Sequence, residues 1–201
     1  MTEKSIEGAK KIFEEYHGIL RAHQAVRGGI APRTLYEMRD AGMVLRESRG
    51  LYRLADAEFG SNSDLVHVAL RIPKGVICLI SALAYHELTT QIPHQVYVAL
   101  PNNAEKPRLE YPPTRIFWLS QKAYSAGLEN HELDGIAVKI YGIEKTIADC
   151  FMFRNKTGLD VALEALKDYR KRESFNAETL LHYARIDRVE RVIKPYLEAI
   201  V

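Results

Sequence analysis

Seven arginines fall between Ile19 and Arg53 (Arg21, Arg27, Arg33, Arg39, Arg46, Arg49 and Arg53), and only Glu37, Asp40 and Glu47 oppose them. A guanidinium is a planar fork that donates paired hydrogen bonds to a phosphate or to the major-groove edge of guanine. The net charge of the whole chain, +2, points to no polyanion, but this local concentration of arginine does. Other residues capable of chemistry lie farther along, and each lacks a necessary companion. His86-Glu87 opens like a zinc-protease helix, yet Thr90 stands where the second histidine must be. Ser81 has no glycine flanks to form a nucleophile elbow and reads as a hydroxyl on a buried helix. His67, His94 and His131 are scattered without ligand spacing. Glu132, Asp134 and Lys139 have the residue types of a magnesium-dependent nuclease, but a turn at Asp134-Gly135 accounts for the acidic end of that set. Glu144, Lys145 and Asp149 share one predicted helix, and the spacing of Lys145 and Asp149 predicts a surface or partly buried ion pair. Gly28-Gly29 lacks the lysine and the preceding strand of a phosphate-cradling loop. The sequence therefore predicts no catalytic residues, no metal site and no cofactor.

The elements around the arginines decide what they can reach. Ile6, Ala9, Ile12, Phe13 and Tyr16 recur at helical spacing among charged residues, and Gly18 ends that run. A second short helix is predicted over Leu20 to Arg27, with Leu20, Gln24 and Val26 on its inner side, stopping at Gly28-Gly29. Pro32 suits the first turn of a third helix, in which Leu35, Met38 and Ala41 face inward and Gly42 closes the end. Arg33, Thr34, Tyr36, Glu37 and Arg39 are left on its outer faces. Met43 to Glu47 and Leu51 to Leu54 are strand-like and joined by Ser48-Arg49-Gly50, which predicts a hairpin. Three helices and a hairpin are the order of a winged helix-turn-helix. In that geometry the third helix enters the major groove, so Arg33, Thr34, Tyr36 and Arg39 face bases and phosphates. Arg27, Arg46 and Arg49 suit phosphates or the minor groove. Residue 31 is alanine, so the third helix lacks a Ser or Thr cap, for which Pro32 compensates in part.

Ala55 to Asn62 is small and polar and reads as a linker between a domain at residues 1–56 and another at 63–201. Ser63-Asp64 caps a helix from Leu65 to Arg71, and the apolar run from Val76 to Leu88 predicts one central helix. Gln95 to Leu100 and Arg115 to Leu119 are strand-like, as are the segments flanking Asp134-Gly135. Helices are predicted over Ile143–Arg154, Leu159–Lys171, Ala177–Ala184 and Val189–Ala199, with Pro195 at a boundary or kink. The fold class is α+β: an N-terminal winged helix-turn-helix, then a mixed α/β domain with a small antiparallel or mixed sheet and C-terminal helices. Basic groups on those last helices (Lys167, Arg170, Lys171 and Arg172, then Arg185, Arg188, Arg191 and Lys194) read as solvated faces balanced by neighbouring acids, with extra phosphate contacts as the alternative.

Cys78 and Cys150 sit among apolar neighbours without the close pairing of a redox or metal motif, which predicts buried thiols in a reducing compartment. Met-Thr-Glu-Lys-Ser-Ile-Glu at the start is charged where a signal peptide needs an apolar run, and no segment is apolar enough to span a bilayer. A cytoplasmic location is the expectation.

The runs Gly29-Ile-Ala-Pro-Arg-Thr-Leu35, Ala41-Gly-Met-Val-Leu-Arg46 and Arg49-Gly-Leu-Tyr-Arg-Leu54 resemble the winged helix of the AbiEi antitoxin family. Arg71-Ile-Pro-Lys-Gly-Val-Ile-Cys-Leu-Ile-Ser-Ala-Leu83, His86-Glu-Leu-Thr89 and Ile143-Glu-Lys-Thr-Ile-Ala-Asp-Cys-Phe151 are similar to the domain that follows it there. The resemblance implies a DNA-binding antitoxin of a type IV toxin–antitoxin system, active in abortive infection and phage defence. Such a protein represses its own operon through promoter repeats and counteracts a nucleotidyltransferase-like toxin of the AbiEii type without a stable complex. Two other classes fit the residues: a winged-helix regulator whose second domain senses a ligand, and a nuclease targeted to DNA by the winged helix.

Overall fold

The computed structural model describes residues 3–57 and 62–200. Internal contacts divide the chain into two compact units, Met1–Ser63 and Asp64–Val201. Half of the predicted linker, residues 58–61, and the first two residues of the charged start lie outside the described residues. Ala55 and Ala57 are tied back to the first unit by backbone bonds to Met43 and Leu54, at 2.9 and 3.3 Å.

The first unit consists of α1 (Glu3–Glu15), β1 (Ile19–Arg21), α2 (Ala22–Arg27), α3 (Pro32–Asp40), β2 (Val44–Ser48) and β3 (Leu51–Leu54). β3 lies between β1 and β2, antiparallel to both. The strand β1 corrects the predicted Leu20–Arg27 helix. Leu20 is buried, but in register with Tyr52 on β3, and the helix begins only at Ala22. A short apolar pair does not reveal its period, and β3 supplies a partner that local spacing cannot anticipate. The inner face of α2 changes accordingly: Ala25 is buried, while Val26 is 51% exposed. Gln24 accepts a bond from the backbone N–H of Arg21 at 2.8 Å, which starts the helix. Only one glycine of the following pair needs its freedom: Gly29 has φ +102°, whereas a side chain on Gly28 would meet Ile12 Cγ2 at 2.8 Å.

On α3, Leu35 and Met38 are buried as expected, but Ala41 is the exposed cap. The chain reverses there through bonds from the N–H of Gly42 to Arg39 and of Met43 to Met38, both 2.9 Å. This Schellman pairing satisfies the terminal carbonyls and turns Met43 onto the core. Phe13, Leu20, Ile30, Leu35, Met38, Val44 and Tyr52 form that core, so α3 and the hairpin are fixed from behind and present their other sides to solvent.

The second unit runs α4 (Ser63–Arg71), β4 (Val76–Ile77), α5 (Leu79–Tyr85), β5 (Val96–Pro101), β6 (Thr114–Leu119), α6 (Gln121–Ser125), β7 (Leu128–Leu133), β8 (Ile136–Tyr141), α7 (Ile143–Met152), α8 (Arg154–Thr157), α9 (Leu159–Arg170), α10 (Ala177–Ile186) and α11 (Glu190–Ile200). Its five-stranded sheet is mixed, in the order β6-β5-β4-β8-β7. The run predicted as one helix over Val76–Leu88 is a central strand followed by a helix. Val76 and Ile77 pair with Ala99 and Val98 on one side, Ile77 pairs with Ile140 on the other, and Leu79, at φ 50°, turns the chain into α5 as its first residue. A strand buried on both faces reads as a continuous apolar run, and so does a buried helix. The hairpin at Asp134-Gly135 forms as expected, both residues at positive φ (48° and 71°), the conformation a two-residue type I′ turn requires. Pro195 lies inside α11, away from its ends. Leu79, Leu83, Ile147, Phe151, Ala162, Tyr169 and Leu180 lie in the main core, with α7 among α5, α9 and α10.

Candidate nucleic-acid interface

Arg33 projects from the first turn of α3 with its side chain 89% exposed, and its Nε donates to Glu37 Oε1 at 2.8 Å. Glu37 raises the pKa of the Arg33 guanidinium, and the bond from Arg33 lowers that of Glu37, on a fully solvated face. Tyr36, 48% exposed, lies on the same helix. Arg39 folds back over the Tyr36 ring, 5.2 Å from its centroid, and donates to Asp40 at 2.6 and 2.9 Å, which raises its pKa. Thr34 is half-buried, its hydroxyl 3.5 Å from that of Ser5 on α1. The outer face of α3 is thus a cation held forward, a second cation laid on an aromatic ring, and two carboxylates that compete with any phosphate. Exposed ion pairs of this kind are weak and screened by salt, so a polyanion can displace them.

The hairpin supplies the rest. Arg49 is exposed in the two-residue turn, where Ser48 pairs with Leu51 and Gly50 takes φ +74°. Arg46 is exposed on β2 in register with Tyr52, next to the register shift that twists the strand. Arg27 is exposed in the last turn of α2. Arg53 differs from these: it is mostly buried, bonded to Glu47 at 2.7 Å and to the Leu54 carbonyl at 3.0 Å, so it braces the hairpin. Arg21 is exposed where β1 meets α2, a further surface cation of the unit.

Residues 9–55, the span of these elements, match the profile of a family described as transcriptional regulator, AbiEi antitoxin. The N-terminal unit is an AbiEi-type antitoxin domain. Among solved structures the chain is similar to the RV2827C protein from Mycobacterium tuberculosis, with a TM-score of 0.58 at 10% identity over 98% of this chain and 82% of that one. That likeness is one of fold. None of the curated proteins matches the chain.

Beyond the AbiEi-type domain, Ser81, His86, His131 and Lys139 have structural partners. Ser81 is buried on α5, where its hydroxyl accepts from the Tyr97 N–H at 3.0 Å and ties α5 to β5. His86 Nε2 lies 2.8 Å from the Tyr141 carbonyl oxygen, and burial lowers the pKa of its ring. His131 lies between the Tyr85 hydroxyl and the Glu129 carboxylate, at 3.1 and 3.0 Å. Lys139 donates to the Pro73 carbonyl at 2.9 Å, so the nuclease set of Glu132, Asp134 and Lys139 has its lysine turned to a backbone oxygen. Among the described residues no group of His, Cys, Asp and Glu could hold a metal ion. No helix of the described residues is long and apolar enough to cross a membrane.

Lys145 and Asp149 require a larger correction. They are fully buried, and Lys145 donates to Asp149 on α7 and to both oxygens of Asp187, at 3.1 and 3.2 Å. Asp187, the cap of α10, closes a buried triad that spacing along one helix cannot reveal. Burial pushes Asp149 up to about 7 against the pull of the Lys145 ammonium, with Asp187 adding repulsion. Burial alone would lower Lys145, but its two carboxylate partners hold it above its ordinary value. The basic groups on the last helices are also partly structural. Arg172 donates to the carbonyls of His86 and Glu87 at 2.6 and 3.0 Å, and Arg170 stacks on Phe175.

Proposed function

We propose that the chain is a DNA-binding antitoxin that represses its own toxin–antitoxin operon and counteracts a nucleotidyltransferase-like toxin. The observation that carries this is the family match over residues 9–55, which spans the helix and wing bearing the exposed arginines. On this reading α3 lies in the major groove, with Arg33 reaching base edges and Tyr36 and Arg39 the adjoining backbone. Thr34 steadies the helix against α1. Arg46 and Arg49 on the wing, with Arg27 at the end of α2, contact phosphates. The second unit carries the antitoxic activity, and the protein acts in the cytoplasm on type IV lines, with no stable toxin complex, in phage defence by abortive infection.

The test is binding of the full chain to the DNA upstream of its own gene, against a scrambled duplex, at two salt concentrations. The expected result is salt-sensitive preference for the native sequence, reduced in Arg33→Ala and retained in Arg39→Ala, which weakens both duplexes alike. Equal affinity for both duplexes would remove autorepression. Rescue of growth when the chain is co-expressed with a neighbouring nucleotidyltransferase-like gene tests antitoxicity separately.

A further inference from the structure

The second unit contains a cleft of about 670 Å³ that the winged-helix reading does not use, lined in part by Trp118, Ser120, Lys122, Arg185, Asp187 and Arg188. Its size is that of a small-molecule site. Its chemistry is cationic and aromatic. Trp118 is 40% exposed on β6, an edge strand of the sheet, and its indole Nε1 donates to the Ala104 carbonyl at 3.1 Å, which restrains the ring. Lys122 and Arg188 are exposed and have no ion-pair partner among the described residues, and Arg185 spends one bond on the Leu181 carbonyl. The acid of the lining, Asp187, turns its carboxylate inward to Lys145 at 3.1 Å, so it does not oppose an anion in the cleft. Arg188 sits at φ 60°, a conformation that a long side chain seldom adopts and that places it directly after the α10 cap.

We propose that this cleft binds a nucleotide, its phosphates held by Lys122, Arg185 and Arg188 and its base against the indole of Trp118. Guanidinium and ammonium groups neutralise phosphate, while an exposed aromatic face accepts any base by stacking. The ligand is a free nucleoside polyphosphate or one nucleotide of a single strand, since both present the same base and phosphate. The inference rests on the cleft and not on the antitoxin reading.

Trp118 is the single tryptophan of the chain, so its fluorescence reports on the cleft alone. The full chain is titrated with ATP, adenosine, tripolyphosphate and a short single-stranded oligonucleotide, with free tryptophan amide as the optical control. Saturable quenching by ATP or by the oligonucleotide is expected, with adenosine and tripolyphosphate weaker by about tenfold or more. Whichever of the first two binds more tightly identifies the source. Lys122→Ala combined with Arg188→Gly should weaken binding by about tenfold or more without lowering the melting temperature, because glycine favours the backbone conformation at that position. Arg33→Ala with Arg49→Ala should leave the quenching unchanged, which separates the cleft from the winged helix. Absence of saturable quenching by either nucleotide at millimolar concentration, or equal affinity in the Lys122/Arg188 variant, would overturn the proposal.

Discussion

The buried triad shows how far a residue's role depends on partners distant in sequence. Lys145 and Asp149 are four residues apart and look like one more helix-surface pair, but Asp187 arrives from α10 and all three are enclosed. One ammonium cannot neutralise two carboxylates, and burial penalises the surplus charge. The surplus is relieved by a proton, which accounts for the rise of Asp149 to about 7 from an ordinary 3.8. Between those values the folded chain keeps a proton that the unfolded chain has released. The contribution is therefore fully present below about pH 4 and is lost as pH rises through about 7. Asp149→Asn removes the titrating group while keeping the shape. Urea unfolding from pH 4 to pH 8 should show that the wild type loses stability over this interval relative to the variant. Parallel profiles for the two proteins would mean that Asp149 is ionised throughout.

At the scale of elements, the two parts of the winged helix should fail differently when changed. α3 is anchored by Leu35 and Met38, so an alanine at Arg33 or Arg39 alters its outward face and spares its fold. Arg33→Ala should reduce the preference for native over scrambled DNA by about tenfold, the usual scale of one lost base contact. Arg49→Ala on the wing should weaken both duplexes alike, because phosphates are the same in every sequence. Glu37→Gln should strengthen binding to both by removing the carboxylate that holds Arg33, as competition gels would show. The sequence made α1, α3 and the two hairpins legible because each has either a sustained period or a turn that only certain residues can make. It hid β1 and β4, since Ile19-Leu20 and Val76-Ile77 are too short to show a period, and their strand character comes from Tyr52, Val98 and Ile140. The outward arginines of α3 could be read from the spacing of Leu35 and Met38. The Arg33–Glu37 pair that restrains one of them is itself an i,i+4 spacing, whereas the cleft around Trp118 depends on geometry that no local pattern encodes.

At the scale of the whole chain, the open issue is which cations a duplex meets. The AbiEi-type domain carries exposed Arg21, Arg27, Arg33, Arg46 and Arg49 and half-buried Arg39, while the second unit exposes Lys122, Arg185 and Arg188 around its cleft. Each phosphate neutralised releases condensed counterions, so affinity falls with salt at a slope that counts contacts. If the winged helix alone binds DNA, with Arg33 on a base edge and Arg27, Arg39, Arg46 and Arg49 on phosphates, the logarithm of affinity should fall with the logarithm of salt at a slope of about −4 per monomer. Arg49→Ala should make that slope shallower by about one, whereas Lys122→Ala with Arg188→Gly should leave it unchanged. A markedly steeper slope, reduced by the Lys122/Arg188 variant, would assign the second unit to the duplex. The Trp118 titration provides the complementary result: a duplex that contacts only the winged helix leaves the indole undisturbed, and ATP in the cleft leaves promoter affinity unaltered unless binding in one unit changes the other. Titrating both ligands against the same chain therefore measures whether its two units act independently or report to each other.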